Sequence, residues 1–199
     1  MTVPSSTLVL ASSSPRRKSL LEQAGFRFTI QPADIDESVG EGESPETATA
    51  RLAIEKAVVV RRRSIPGVVL AADTSVVCDG RMLGKPNDFD HAVAMLRQLS
   101  GRNHRVITCW AAVPESDDPA DVITGAAISV VRMRDIPNRE LIAYASGPEP
   151  YDKAGGYAAQ GDGRRFIAAV LGPFDNVVGL PVAQVAFALA RLGIRPVSP

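Results

Sequence analysis

Residues 68–86 read VVLAADTSVVCDGRMLGKP. The apolar run that opens this segment is typical of a buried strand, and Asp73 and Thr74 follow it directly. We expect the strand to deliver a carboxylate and a hydroxyl to the edge of a sheet, where α/β proteins often bind ligands. The dipeptide Asp79-Gly80 predicts a hairpin that returns Lys85 toward the Asp73 end. The alternative is a strand-end Asp in a turn and a Lys on a solvated loop.

An anion site is predicted where the first strand, residues 7–11, meets the first helix. The connecting segment is rich in serine; Ser14 is a good N-cap, and Pro15 suits the first helical position. Backbone amides at the positive end of the helix dipole would lie beside Arg16 and Arg17 and attract an anion. The alternative is a well-capped helix whose basic residues are solvated.

Lys56 lies in the apolar stripe of the second predicted helix, residues 45–62, and not on its polar side. A lysine whose ammonium group reaches back to solvent would explain this position. A lysine that extends into an anion pocket would explain it equally well.

Carboxylates cluster at Asp34, Asp36 and Glu37, just after a predicted strand over residues 26–30. Carboxylate oxygens are the ligands that hard divalent cations prefer, so this segment is a candidate metal site. A solvated acidic turn is the commoner interpretation of such a sequence.

Strands and helices alternate along the rest of the chain, and the two long middle strands favour antiparallel pairing. We therefore expect an α/β fold with a mixed sheet flanked by helices, in a single domain over residues 1–199. The remaining predicted strands are residues 106–113, 122–133 and 166–171. The remaining predicted helices are capped by Asn87 or Asp88, capped by Asn138, and placed over residues 181–192.

Composition excludes several classes of protein. The 22 basic and 22 acidic residues cancel, which argues against binding to a nucleic-acid polymer or a membrane surface. The two cysteines, Cys78 and Cys109, are distant in sequence and predict buried free thiols in a reducing cytoplasm. No run approaches the roughly 20 apolar residues of a membrane span.

The histidines do not support a nucleophilic triad or a zinc site. His91 is predicted on a helix and His104 in a turn. What the sequence offers instead is a set of acids, Glu37 and Asp73, and a set of cations. The cations are Arg16, Arg17, Lys56, Lys85 and Lys153. Cations bind phosphate oxygens and a carboxylate can orient or deprotonate water, so attack of water on a phosphoryl centre is the natural reaction class.

Several short motifs resemble the Maf family of nucleoside triphosphate pyrophosphatases, in order and spacing, from about Leu8 to Val185. They are ASSSPRR at residues 11–17, RLA and EKA at 51–53 and 55–57, ADT at 72–74, GKP at 84–86, LSG at 99–101, DKAG at 152–155 and QG at 160–161. The resemblance implies a Maf/inosine-triphosphatase-like fold, a homodimer, a cytoplasmic house-cleaning role and the release of pyrophosphate with Mg²⁺ or Mn²⁺.

The resemblance also implies roles for individual residues. Asp73 would be the base or water-orienting group, and Glu37 would bind metal together with Asp73. The triphosphate would be held by Ser12, Arg16, Lys56 and Lys85. Lys85 would also act in catalysis with Asp73 and Glu37, and Lys153 would join the substrate-binding residues.

Three positions of the resemblance bear on the base of the nucleotide. Arg17, Thr74 and Gln160 match the branch that prefers dTTP and UTP and modified pyrimidine analogues such as 5-methyl-UTP and pseudo-UTP. The alternatives are a preference for 7-methyl-GTP, a broad specificity, or a nucleotide-sensing regulator of septum formation that does not hydrolyse its ligand.

Overall fold

The computed structural model describes residues 7–116 and 118–197. The predicted single domain also includes residues 1–6, 117, 198 and 199, which lie outside the described residues. The strands are β1 (Leu8–Leu10), β2 (Phe28–Ile30), β3 (Val68–Cys78), β4 (Arg81–Leu83), β5 (Asn103–Val113), β6 (Ile123–Met133) and β7 (Ile167–Leu171). The helices are α1 (Pro15–Gln23), α2 (Pro45–Arg61), α3 (Phe89–Leu99), α4 (Asn138–Ala145), α5 (Phe174–Val178) and α6 (Val182–Arg191).

The described strands form one sheet in the order β2-β1-β3-β5-β6-β7, with β4 paired to β3. The strand β1 is parallel to both β2 and β3, whereas β3–β4 and β6–β7 are antiparallel. The predicted α/β fold with a mixed sheet is therefore confirmed. None of the described helices is long and apolar enough to cross a membrane.

The predicted hairpin after β3 is present. Asp79 and Gly80 have φ angles of 50° and 77°, as a two-residue type I′ turn requires. The register pairs Val76 with Leu83, so the chain beyond β4 runs back along β3 toward Thr74.

The prediction that a strand ends at Asp73-Thr74 is wrong. The strand β3 continues through both residues to Cys78, because its second half has its own antiparallel partner in β4. Pairing with β1 does stop earlier, at Leu10 and Leu70. Asp73 therefore lies in the interior of a strand, beyond the last paired residue of β1.

The chain divides into two compact units. Unit 1 comprises the described parts of Met1–Asp73, Thr108–Ala127 and Gly179–Pro199. Unit 2 comprises Thr74–Ile107 and Ile128–Val178. The division falls between the two residues of the Asp73-Thr74 pair.

In unit 1, alternate residues of β1 sort to the two faces of the sheet, as the pleat of a strand requires. Leu8 and Leu10 pack with Leu21 of α1 and Leu189 of α6. Val9 lies in a separate cluster with Ala57 and Val60 of α2, on the face where Lys56 also projects. The helix α2 is thereby held against the sheet on the side opposite α1 and α6.

In unit 2, the larger apolar cluster joins α3 and α4. Leu96 and Leu99 of α3 pack with Leu141 of α4 and with Phe166. A second cluster contains Val106 and Val131 of neighbouring strands. These clusters support the loops that follow β4 and α4, which carry Lys85, Lys153 and Gln160.

Helix starts follow the predicted chemistry with one exception. The side chains of Ser14, Ser44 and Asp88 each accept a hydrogen bond from the backbone amide three residues ahead. Asn138 is not an N-cap; Pro137 holds that position, and the Asn138 Oδ1 atom accepts a hydrogen bond from Arg97 at 2.7 Å instead.

His104 is not in a turn, as the sequence suggested, but inside β5, where it is 2% exposed. Its Nε2 atom lies 2.7 Å from the hydroxyl of the buried Tyr157, and the two rings meet edge to face. Its Nδ1 atom has no partner among the described residues. Burial lowers the pKa of His104 from 6.5 to about 4.

We expect this buried imidazole to make stability depend on pH. Between about pH 6.5 and pH 4 the unfolded chain binds a proton at His104 that the folded chain excludes. The free energy of unfolding should therefore fall by up to about 3 kcal/mol as the pH drops through this window. Urea titrations at several pH values in this range give the free energy of unfolding of wild type and of His104→Gln. This free energy should fall less steeply with decreasing pH in His104→Gln than in wild type. A His104→Gln protein whose free energy of unfolding fell as steeply with decreasing pH as that of wild type would contradict the prediction.

Candidate active site

The first polar cluster of unit 1 is an ammonium group that lies between two carboxylates. The Lys56 Nζ atom lies 2.6 Å from Asp73 Oδ1 and 2.7 Å from Glu37 Oε1. The side chains of Lys56 and Asp73 are 10% and 12% exposed, whereas that of Glu37 is 57% exposed. The cluster thus has a buried side, formed by Asp73 and Lys56, and an open side at Glu37.

These contacts decide between the two interpretations of Lys56. The side chain does not return to solvent from the apolar face of α2, so the snorkelling interpretation is wrong. The ammonium group is directed into a polar site, where its partners in this structure are carboxylates. A buried ammonium group is tolerated because each of these contacts is a charge-assisted hydrogen bond.

The start of α1 carries a second polar group of unit 1. Ser12 is buried, and its Oγ accepts hydrogen bonds from the Ser14 backbone amide and from Arg17 Nη1, both at 3.2 Å. Arg17 Nε donates to the Gly179 carbonyl at 2.9 Å. Arg17 is therefore fixed in place by protein groups and is not a solvated residue of the helix surface.

The two polar groups of unit 1 share one electrostatic environment. Burial lowers the pKa of Arg17, the negative charges of Asp73 and Glu37 act in the opposite direction, and Arg16 adds to the lowering. Charges influence one another in this way only over short distances or in poorly screened surroundings. The fold has thus brought together six of the predicted site residues: Ser12, Arg16, Arg17, Glu37, Lys56 and Asp73.

The acidic segment around Glu37 is not a metal cluster by itself. Asp36 instead accepts hydrogen bonds from the backbone amide and the hydroxyl of Ser38, both at 2.9 Å, and these bonds lower its pKa. Across residues 7–116 and 118–197, no group of three or more His, Cys, Asp or Glu side chains is arranged to hold a metal ion. The carboxylates that do converge are Glu37 and Asp73, on either side of Lys56.

The other four predicted residues belong to unit 2. Thr74 is half-buried in β3, and Lys85 and Gln160 are exposed. Lys85 lines a cavity of about 320 Å³ together with Met82, His91, Met95 and Gln98. Lys153 donates to the Glu149 carbonyl at 2.9 Å and contacts the Asp152 carboxylate.

Two glycines bring the segment that contains Lys85 into contact with the segment that contains Lys153. The Gly155 amide donates to the Gly84 carbonyl at 2.9 Å, just before Lys85. A Cβ atom on Gly156 would lie 3.1 Å from Pro86, and its φ of 68° favours glycine. The segment that contains Lys153 is therefore packed against the segment that contains Lys85.

Sequence reasoning gave no role to Glu149, which organises the loop around Gln160. Its carboxylate accepts hydrogen bonds from the amides of Asp162 and Gly163, at 3.0 and 2.9 Å. A Cβ atom on Gly161 would collide with Glu149 Oε1, so the loop closes tightly around this side chain. No spacing in the sequence links position 149 to these amides, because the contact depends on how the loop turns.

Comparison with known proteins gives the family. The profile of a family described as Maf-like protein matches residues 7–192. The dTTP/UTP pyrophosphatase of Syntrophomonas wolfei is 44% identical over 92% of this chain and 96% of its own length. That of Myxococcus xanthus is 45% identical over 98% and 96%. The chain belongs to the Maf family, as the motifs indicated.

A more distant likeness is found among solved structures. A HAM1 protein from Coxiella burnetii is 17% identical, with a TM-score of 0.49 over 94% of this chain and 96% of that one.

Proposed function

We propose that the protein hydrolyses dTTP and UTP, and modified pyrimidine analogues of them, to the nucleoside monophosphate and pyrophosphate. The observation that carries this proposal is the Lys56 ammonium group between Asp73 and Glu37, beside the cationic start of α1. Relatives that are more than 40% identical over nearly the whole chain bear the name dTTP/UTP pyrophosphatase, which supports the choice of substrate.

In this proposal Asp73 accepts a proton from the attacking water. The Lys56 ammonium group donates a hydrogen bond to Asp73 Oδ1 at 2.6 Å and thereby fixes the orientation of the carboxylate. The water oxygen bonds to the α-phosphorus. The bond between this phosphorus and the oxygen that bridges to the β-phosphate breaks, and pyrophosphate leaves. Arg16, Lys56 and Lys85 bind the phosphate oxygens, and Ser12 and Lys153 complete the binding groups.

The donor set is compatible with a divalent cation. Glu37 and Asp73 each place a carboxylate oxygen within 2.7 Å of one cationic atom, and such oxygens suit Mg²⁺ or Mn²⁺. These two residues would hold the ion, whose chemistry when bound is to neutralise phosphate charge and polarise the reacting phosphorus. Lys56 already supplies one positive charge at this position.

Specificity for the base is assigned to Arg17, Thr74 and Gln160. Arg17 is fixed by Ser12 and Gly179, and Gln160 lies on the loop organised by Glu149. A fixed donor discriminates between bases because a base that cannot accept its hydrogen bond leaves it unpaired. The homodimer, the cytoplasmic location, the single domain and the house-cleaning role belong to the same proposal.

The proposal is tested by measuring pyrophosphate release from dTTP, UTP, CTP, GTP and 7-methyl-GTP at equal concentration with Mg²⁺, and again with Mn²⁺. We expect dTTP and UTP to be preferred by at least about tenfold in kcat/KM, the effect of one lost hydrogen bond of roughly 1.4 kcal/mol.

The other outcomes are distinct. Preference for 7-methyl-GTP or for CTP would keep the reaction and overturn the roles of Arg17, Thr74 and Gln160. Binding of a nucleotide without pyrophosphate release would overturn the enzymatic proposal and favour a nucleotide-sensing regulator.

A further inference from the structure

Glu37 lies in a segment that needs an external anchor. Residues 31–44, all of them described, contain neither helix nor strand. The Glu37 side chain is more than half exposed, and an ion pair at such a position contributes at most about 1 kcal/mol. Ordering each backbone residue costs about 1–2 kcal/mol, so the contact with Lys56 cannot by itself hold the segment in place.

For residues 38–43 this anchor is the guanidinium group of Arg51, on the same helix as Lys56. Arg51 Nε and Nη2 bind the two carboxylate oxygens of Glu43, both at 2.8 Å, and Nη2 also donates to the Ser38 carbonyl at 3.0 Å. The Glu43 carboxylate accepts a further bond from the Gly40 amide at 3.0 Å. The fork thereby fixes both the residue after Glu37 and the end of the segment.

The charges of this contact reinforce one another. Hydrogen bonds from Arg51 and from the Gly40 amide lower the pKa of Glu43 to about 2, so Glu43 is ionised at neutral pH. The third nitrogen, Arg51 Nη1, binds Glu55 at 3.2 Å, one helical turn along α2. Only the planar fork of arginine can make these contacts together, since lysine offers a single point charge.

We infer that Arg51 is a positioning residue, which holds the segment 38–43 on α2 so that Glu37 faces Lys56. The inference rests on the proposed function for its effect on catalysis. Its structural part stands independently, because it concerns the order of residues 38–43. Arg51 acts through Glu37 and does not itself touch substrate.

The first test compares Arg51→Lys and Glu43→Gln with the control Glu55→Gln. Arg51→Lys keeps the charge but loses the fork, and Glu43→Gln weakens the link to the segment. Both should lower kcat for UTP by about tenfold or more, because misplacing a reacting group by 1 Å can cost about 10²-fold. Glu55→Gln removes only the partly exposed ion pair between neighbouring turns of α2, keeps the Arg51 contacts with Ser38 and Glu43, and should leave kcat within about twofold.

The second test separates positioning from general stabilisation. Arg51→Lys should lower kcat in the wild-type background but have little further effect in a Glu37→Gln background, because residues that act through one another are not additive. Equal losses in the two backgrounds would overturn the inference.

Hydrogen exchange at the Gly40 amide gives a readout that needs no turnover. We expect exchange there to be faster in Arg51→Lys and unchanged in Glu55→Gln, while amides of the sheet keep their protection. If wild type released no pyrophosphate, the proposed function would fail, and this measurement alone would decide the inference. Unchanged exchange at Gly40 in Arg51→Lys would overturn it.

Discussion

Replacement of Asp73 by Asn is expected to lower kcat for pyrophosphate release from UTP by at least about 100-fold, the usual effect of losing a general base. Asn keeps the size of the side chain but cannot take the proton of the attacking water. The fold should survive, because Lys56 keeps its contact with Glu37 at 2.7 Å. Steady-state kinetics over a range of UTP concentrations would show the loss in kcat and not mainly in KM.

The matched control is Asp79→Asn. Asp79 lies in the β3–β4 turn at a positive φ that asparagine tolerates, and its ion pair with Arg102 is exposed. This variant should retain wild-type turnover. If Asp73→Asn stayed within a few-fold of wild type, the assignment of Asp73 as the base would be wrong.

Replacement of Lys56 by Met is expected to have the largest effect on stability. Met keeps the length and apolar character of the stem, but it leaves the Asp73 carboxylate buried without its ammonium partner. Removal of one member of a buried ion pair typically costs about 3–5 kcal/mol. Urea denaturation should show this loss as a lower midpoint with an unchanged slope.

Two further variants identify the cause. Lys18→Met removes an exposed pair with Glu22 at 3.8 Å and should cost less than about 1 kcal/mol. The double variant Lys56→Met with Asp73→Asn should regain part of the stability, since no uncompensated charge then stays buried. A Lys56→Met protein as stable as wild type would show that Asp73 does not depend on this ammonium group.

Local chemistry made much of the fold predictable. Ser14, Ser44 and Asp88 cap helices because their side chains satisfy amides three residues away, which is a property of the sequence alone. The turn at Asp79-Gly80 was predictable for the same reason, since few other residue pairs accept two positive φ angles. The errors at Asp73, His104 and Asn138 arose where a pairing strand or a neighbouring residue decided the structure.

For the polar cluster of unit 1, the sequence indicated the residues but not their geometry. Lys56 was conspicuous because a cation in an apolar stripe breaks the helical pattern, but the pattern did not indicate that its partners would be Asp73 and Glu37. Arg51 and Glu149 received no role, because their contacts are with backbone groups of loops whose course no periodicity describes.

The sequence by itself determined every described helix except the short α5, together with the hairpin, the mixed sheet and the family, because these follow from periodicity, capping, turn residues and the order of short motifs. Only the tertiary structure decided that Lys56 lies between two carboxylates, that Arg17 is fixed by Ser12 and Gly179, and that Arg51 anchors the segment beside Glu37. The physical reason is that each of these contacts joins residues from different elements, and their distances are set by how α1, α2 and the loops pack on the sheet.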